Sequence, residues 1–313
     1  MVRTRRGWFV IAAVLALAGT AWAQPKKAAG AGDDVAYLPL DSEVVGGLDF
    51  AQIQQSSLWK KFVQPLLMSG DAQKKIAEFK AMCGIDPMTA ITRVSFGLKG
   101  VGGGNPPEGV FVAHGVSKAK LTACFAKQKP SAGTEVKVDG AVAIIKPKDG
   151  QPVAITLLND TTAIGVIGTN ATKAGVLEAA KGTKALKTST AFMEMYGKTR
   201  TQDTLWMLIN GNAPAFSKVG SAMGGKAKAM FGSVNVGKDV TANFRIRLAT
   251  PADATQFASS IQGQVQQAQA LVDKATVGSD GSDVTISIAI SNTKLENLIK
   301  MIQGGGGGST AGP

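Results

Sequence analysis

The sequence predicts an α+β protein, internally duplicated, with antiparallel sheets and helices packed on one face. Three observations predict it. From Val240 to Leu248, residues Val240, Ala242, Phe244, Ile246 and Leu248 alternate with Thr241, Asn243, Arg245 and Arg247, the period of a strand with one buried and one wet face. Thr250-Pro251 then supplies a helix cap and a preset first residue, and Phe257, Ile261, Val265, Ala268 and Val272 recur at helical spacing, so the helix can lie back across the apolar face. The same order of strand, turn, strand and capped helix occurs earlier, between Ile91 and Lys127, with Ser117 in the place of Thr250.

Taken in order, residues 1–23 have the three parts of a secretory signal. Arg3, Arg5 and Arg6 form a positive start, Trp8 to Ala18 an apolar stretch, and Ala21-Trp22-Ala23 a small-residue cleavage site. The apolar stretch is short of the roughly 20 residues a membrane span needs, so no transmembrane segment is expected after cleavage. Thr4-Arg5-Arg6 partly matches a twin-arginine signal, and the general export route is the simpler reading. Residues 24–34 read as a flexible leader.

The first half is expected over 35–182. Val35 to Phe50 reads as a strand pair or one bent strand, followed by helices around Leu58 to Leu66 and Asp71 to Cys83. Ile91 to Lys99 and Gly109 to His114 are strands, and Asp139-Gly140 marks a hairpin. Pro152 to Leu158 and Thr162 to Ile167 form another hairpin, and Asn170 is placed to cap a closing helix ending at Gly182.

The second half, 183–303, repeats the pattern. Phe192 to Tyr196 is a short helix, Thr204 to Ile209 and Met230 to Val236 are strands, and Ala213 to Lys228 is a glycine-interrupted helical region. Val284 to Ile290 alternates, and Asn292 is placed to cap the last helix. Residues 304–313 read as a disordered glycine-rich tail. Pattern alone fits either two lobes or one continuous sheet.

The stretch Leu38-Pro39-Leu40-Asp41-Ser42-Glu43-Val44-Val45-Gly46-Gly47-Leu48-Asp49, followed by Leu58-Trp59, resembles a group of uncharacterised exported bacterial proteins with duplicated α+β lobes. The resemblance implies export and fold, and no activity.

Composition limits the function classes. The chain has 313 residues and a net charge of +12; without Arg3, Arg5 and Arg6 it keeps 31 basic against 22 acidic residues, a net +9. Such a chain favours anionic surfaces. Its lysines are dispersed, without the basic-aromatic block of specific nucleic-acid recognition. Cys83 and Cys124, 41 positions apart, are a candidate disulfide worth about 4 kcal/mol in the chain-entropy model, or else two buried thiols.

Catalytic motifs fail at specific positions. His114 is the single histidine and has no triad signature around it. Gly197-Lys198-Thr199 has the tail of a phosphate loop, but Phe192 stands where its first glycine belongs. Asp280-Gly281-Ser282-Asp283 is a turn that lacks the remaining carboxylates of a calcium loop. The sequence therefore assigns no catalytic residue, no metal ligand and no cofactor.

The predicted functional surface is the wet face carrying Asn235, Asn243, Arg245 and Arg247, whose guanidinium forks suit a carboxylate or phosphate. The expected function is an exported, non-enzymatic binding or structural protein of the bacterial envelope, in the periplasm or outside the cell, with an unknown envelope protein or anionic ligand as partner. Charge-driven adhesion to anionic polymers or lipids, and a hydrolase using paired carboxylates, are the alternatives.

Overall fold

A computed structural model describes residues 34–127, 134–183, 185–216, 220 and 227–305. The signal-like segment, leader residues 24–33 and tail residues 306–313 lie outside the described residues, as does much of the predicted 213–228 helical region. The described strands form one twelve-stranded antiparallel sheet in the order β11-β12-β10-β9-β8-β1-β2-β3-β7-β6-β5-β4. Of the two arrangements that pattern allowed, the continuous sheet is the one adopted.

The seam is β1 (Val44–Asp49), which pairs with β2 (Arg93–Lys99) on one side and β8 (Leu205–Asn210) on the other. Gly46 and Gly47 make this double pairing compatible with aromatic cover. A Cβ on Gly46 would stand 2.7 Å from the Phe96 ring, and one on Gly47 would overlap the Trp206 indole. Alternation sends these two positions to opposite faces. One large aromatic therefore crosses the central strand on each side.

Beyond β2 lie β3 (Glu108–His114), β7 (Thr162–Ile167), β6 (Val153–Leu157) and the hairpin β5 (Val142–Pro147) and β4 (Thr134–Asp139). On β3, Val110 and Val112 join one core, while Phe111 and Ala113 join another. Helix α3 (Lys118–Lys127) lies on the Phe111 side through Leu121 and Cys124, and α4 (Lys173–Lys181) on the Val112 side through Val176. Helices thus cover both faces of these strands, where the sequence predicts one. The physical cause is composition: β3 and β7 are nearly unbroken apolar runs, and neither face of such a strand tolerates water.

Several local signals act differently from the expectation: the last helix begins at Asn292 itself, whose amide donates to Ser57 at 2.7 Å instead of capping it, and the helix after Thr250 ends at Ala268 before reaching Val272. Val35 to Phe50 yields one strand, and the residues before it form a wrap held by a bridge from Pro39 to Ala185. The α4 cap is Thr172, whose hydroxyl accepts from the Gly175 N–H at 3.0 Å, in place of Asn170. Between α1 (Phe50–Gln55) and α2 (Gly70–Cys83) the chain makes a π-helical turn at Trp59–Val63. Cys83, at the end of α2, meets Cys124 of α3 with sulfurs 1.97 Å apart, and both are buried.

Beyond β8 lie β9 (Ala229–Val236), β10 (Asp239–Arg247), β12 (Asp283–Ser291) and β11 (Lys274–Asp280). Helix α6 (Pro251–Ala268) starts at Thr250, whose hydroxyl accepts from the Asp253 N–H at 3.1 Å. Its Ala254 and Ala258 share a core with Ile246, Leu248 and Val284, but the helix returns chiefly over β11 and β12, beyond the β10 face that the spacing predicts. Helix α5 (Thr190–Gly197) lies on the other side, its Phe192 and Tyr196 in one core with Trp206, Leu208 and Phe231. Helix α7 (Asn292–Gly305) closes the described chain.

Two stability outcomes are expected. Gly47→Ala should destabilise by about 2 kcal/mol through overlap with Trp206, while Gly263→Ala, in an open stretch of α6 with nothing within 4 Å, should stabilise by about 0.5–1 kcal/mol. Urea melts of the two variants check the contrast. Thiol titration of the denatured, unreduced chain should find no free thiol, and replacing both cysteines should cost about 2–4 kcal/mol.

Candidate functional site

The predicted polar face exists as a surface shared by three strands. Antiparallel register sets Asn243 between Ser233 and Ser287, and Arg245 between Phe231 and Thr285. Thr241 stands opposite Asn235. These residues are neighbours because their strands pair, and a period of two turns them the same way.

The face is not open along its whole length, because α5 and the turn after it approach its edge. Arg247 reaches Asp283 through Nε and Nη2, at 2.7 and 3.0 Å, and Glu194 through Nη2 and Nη1, at 2.9 and 3.1 Å. Four of its five N–H donors are therefore engaged. Its guanidinium also sits 5.6 Å from the centre of the Phe231 ring. Lys198 adds a second cation on Asp283 at 2.9 Å and on Glu194 at 3.3 Å.

Asp283 is only 1% exposed and is the centre of this network. Burial pushes its carboxyl up, but hydrogen bonds from Arg247 and Lys198, with their charges, outweigh burial and hold it below the ordinary value. The same contacts raise Lys198, chiefly through Asp283, and raise Arg247. Arg247 is therefore a latch between α5 and the sheet. Of the four residues predicted for binding, it has the least capacity left for a ligand.

Arg245 differs. Its Nη1 donates to Asp280 at 2.6 Å, and Asp280 is 59% exposed. Arg245 holds the Asp280 carboxyl below its usual range. Asn243 accepts from the Ser287 hydroxyl at 3.0 Å, which leaves its amide N–H₂ as a donor. Asn235 reaches Asp203 at 3.5 Å, and Ser233 donates to the same buried carboxylate at 2.7 Å. Arg200, 56% exposed, stands 3.5 Å from Asp203.

Between the Lys198–Arg200 turn and the three strands lies a pocket of about 180 Å³. Lys198, Arg200, Ser233, Asn243, Arg245 and Thr285 are among its lining residues. Sequence reasoning found the strand residues by alternation, met Lys198 only in the failed phosphate-loop motif Gly197-Lys198-Thr199, and did not single out Arg200. No local signal points to the site: Lys198 and Arg200 meet Arg245 only through the fold.

The lone histidine belongs to a different cluster. His114 Nε2 lies 2.7 Å from Asp34 Oδ1, Ser95 donates to Asp34 Oδ2 at 2.7 Å, and Thr162 Oγ1 is 3.3 Å from His114 Nδ1. Arg93 Nη2 also lies 3.3 Å from His114 Nε2, so that nitrogen faces both an acceptor and a donor. Arg93 lies 3.8 Å from the same carboxylate. The carboxylate stands between serine and histidine, so the serine hydroxyl bonds the carboxylate and not the imidazole, and the group ties the N-terminal wrap to β2 and β3. Asp34, placed by composition at the end of the flexible leader, is 2% exposed.

Among the described residues no group of three or more His, Cys, Asp or Glu is placed to hold a metal ion, and no helix is long and apolar enough to cross a membrane.

The Asp283 network sets an acid limit to stability. A carboxyl held below its unfolded value of 3.8 contributes stability above that pH, which is lost as pH falls through the lower folded value. Melting temperature should therefore fall steeply below about pH 4. Asp283→Asn should cost about 3 kcal/mol at neutral pH, by leaving two cations without their buried partner, and should flatten the acid limb. Thermal melts from pH 7 to pH 2.5 check both.

No family model matches the chain, and no curated protein matches it. Among solved structures it is similar to TP0453 in crystal form III, with a TM-score of 0.52 and 10% identity over 85% of this chain and 96% of that one. Crystal form IV of TP0453 is similar at a TM-score of 0.51 and 9% identity, over 85% and 95% of the two chains. Likeness at this identity is a likeness of fold: an α+β chain built on an extended antiparallel sheet.

Proposed function

We propose that the chain is an exported, non-enzymatic binding protein of the bacterial envelope that presents the β9–β10–β12 face to an acidic ligand or partner. The observation that carries the reading is the pocket itself. Lys198, Arg200 and Arg245 converge on it, and its strands add hydroxyl and amide donors. Clefts with a few convergent polar groups are the usual place for ligands. Arg245 is the principal contact, with Asn243 beside it; Asn235 acts through Asp203, and Arg247 holds the wall.

Support for export comes from the Arg3 to Ala23 pattern. The mature chain is then expected to start at Gln24, as N-terminal sequencing of the secreted or periplasmic fraction would read.

An internal duplication accounts for the order of the sheet. Outward from the seam the strands run β1-β2-β3-β7-β6 on one side and β8-β9-β10-β12-β11 on the other, with the β4–β5 hairpin as an addition to the first half. Each half also has a serine at the same place in that order, Ser95 on β2 and Ser233 on β9, donating to a buried aspartate at 2.7 Å. These parallels favour halves at 35–182 and 183–303, sharing one sheet.

The test is capture of envelope components by the mature chain at low and moderate salt. A pocket predicts that Arg245→Ala with Arg200→Ala abolishes capture and that wild-type capture survives 0.3 M salt. Adhesion by net charge alone predicts capture that collapses with salt and ignores these two positions.

A further inference from the structure

The reading above leaves the ligand's chemistry open, and the inference here rests on that reading. We propose that the pocket is a site for a phosphoryl group, in which Arg245 exchanges Asp280 for a phosphate oxygen.

The pocket's acceptors are already occupied, while its cations pair with carboxylates through only part of their donor set: Lys198 with Asp283 and Glu194, Arg245 with Asp280 through Nη1, and Arg200 beside Asp203. Asp203 is held by Ser233, and Asp283 by Arg247 and Lys198. Asn243 has its carbonyl taken by Ser287, so its N–H₂ faces a ligand as a donor. Thr285 contributes a hydroxyl, and Arg200 a largely exposed guanidinium. Such a surplus of donors selects an anion.

Their placement selects the kind of anion. The donors come from three separate elements: Lys198 and Arg200 from the turn after α5, Arg245 and Asn243 from β10, and Thr285 from β12. A carboxylate offers two oxygens in one plane. A phosphoryl group offers three terminal oxygens pointing apart, which donors from three directions can each meet. At about 180 Å³ the pocket has room for roughly six waters, enough for a phosphate and a small remainder.

Arg245 is the freer of the two: besides its bond to Asp280 it only approaches the buried Asp283, at 3.8 Å, whereas Arg247 is hydrogen-bonded to two carboxylates. Asp280 lies on the β11–β12 turn and is largely in water, so its pairing with Arg245 adds little to stability and water readily replaces the arginine. Arg247 is bound on both sides to carboxylates, one of them buried. Asp280 thus occupies Arg245 in the empty pocket and competes with the ligand.

The competition makes a signed prediction. The mature chain is titrated with inorganic phosphate, phenyl phosphate and acetate by calorimetry at low salt, with a co-sedimentation arm using phosphatidic acid in phosphatidylcholine vesicles. Saturable phosphate or phenyl phosphate binding is expected, with acetate at least tenfold weaker. Vesicle binding without soluble-ester binding would place the same phosphoryl group on a lipid headgroup. Arg245→Ala and Arg200→Ala should each weaken binding at least tenfold. Asp280→Asn should tighten it about threefold, the size expected on removing an exposed ion pair.

Asp139→Asn is the control, because Asp139 pairs with Lys173 on the surface at 2.7 Å and its loss changes net charge by the same amount. It should leave binding unchanged. Absence of saturable binding to every phosphoryl probe, or equal tightening by Asp139→Asn and Asp280→Asn, overturns the proposal. Should that happen while Arg245→Ala still abolishes capture of an envelope component, the binding function stands and the phosphoryl class falls. Should Arg245→Ala change neither, both fall. Thermal melts confirm that each variant is folded.

Discussion

Two adjacent glycines in β1 carry the arrangement of the molecule. A sheet that continues through a central strand needs backbone pairing on both edges of that strand and cover on both faces. At Gly46 and Gly47 the missing Cβ atoms are what let Phe96 and Trp206 lie flat against the backbone from opposite sides. Trp206 then meets Tyr196 edge-on at 5.4 Å, and Tyr196 stacks on Phe192 at 5.6 Å, fixing α5 over the β8–β9 region. With α5 set, Glu194 and Lys198 fall beside Arg247 and Asp283. The candidate pocket thus depends on a pair of absent side chains in a strand that does not line it.

Buried carboxylates recur wherever separate segments meet. Asp34 joins the N-terminal wrap to β2 and β3, Asp203 joins the approach to β8 with β9, and Asp283 joins the last hairpin to α5. Burying a charge is costly unless hydrogen bonds replace its water, and each of these has at least two polar partners. Their value lies in position more than in net stabilisation. A hydrophobic contact accepts many offsets, whereas a carboxylate with fixed donors accepts few.

Much of the fold was legible from periodicity, because strand and helix periods are local. Val240 to Leu248, the Asp139-Gly140 turn and the Thr250 cap all reduce to neighbours within a few positions. The polar face of β9, β10 and β12 was legible for the same reason. What the residue order conceals is the pairing of charges: Arg247 and Glu194 are 53 positions apart, and Lys198 and Asp283 are 85. Nothing local tells which arginine is saturated and which is exchangeable. The two-sided burial of β3 and β7 did have a signal, in runs without polar alternation, as did the side-by-side glycines of β1.

The seam also constrains how the chain can assemble. Val44 pairs with Leu98 and with Ile209, so one edge of β1 finds its partner in the nearby β2 and the other must wait for β8, 165 positions later. A chain emerging from its N-terminus first would present β1 as a bare strand edge, with unpaired N–H and C=O groups, until β8 arrives. Non-local pairing of this kind is slow, and the exposed edge meanwhile offers a template to other chains. The fold therefore ties completion of β1's pairing to the delivery of β8, and the interval between them is when the molecule is most in need of protection.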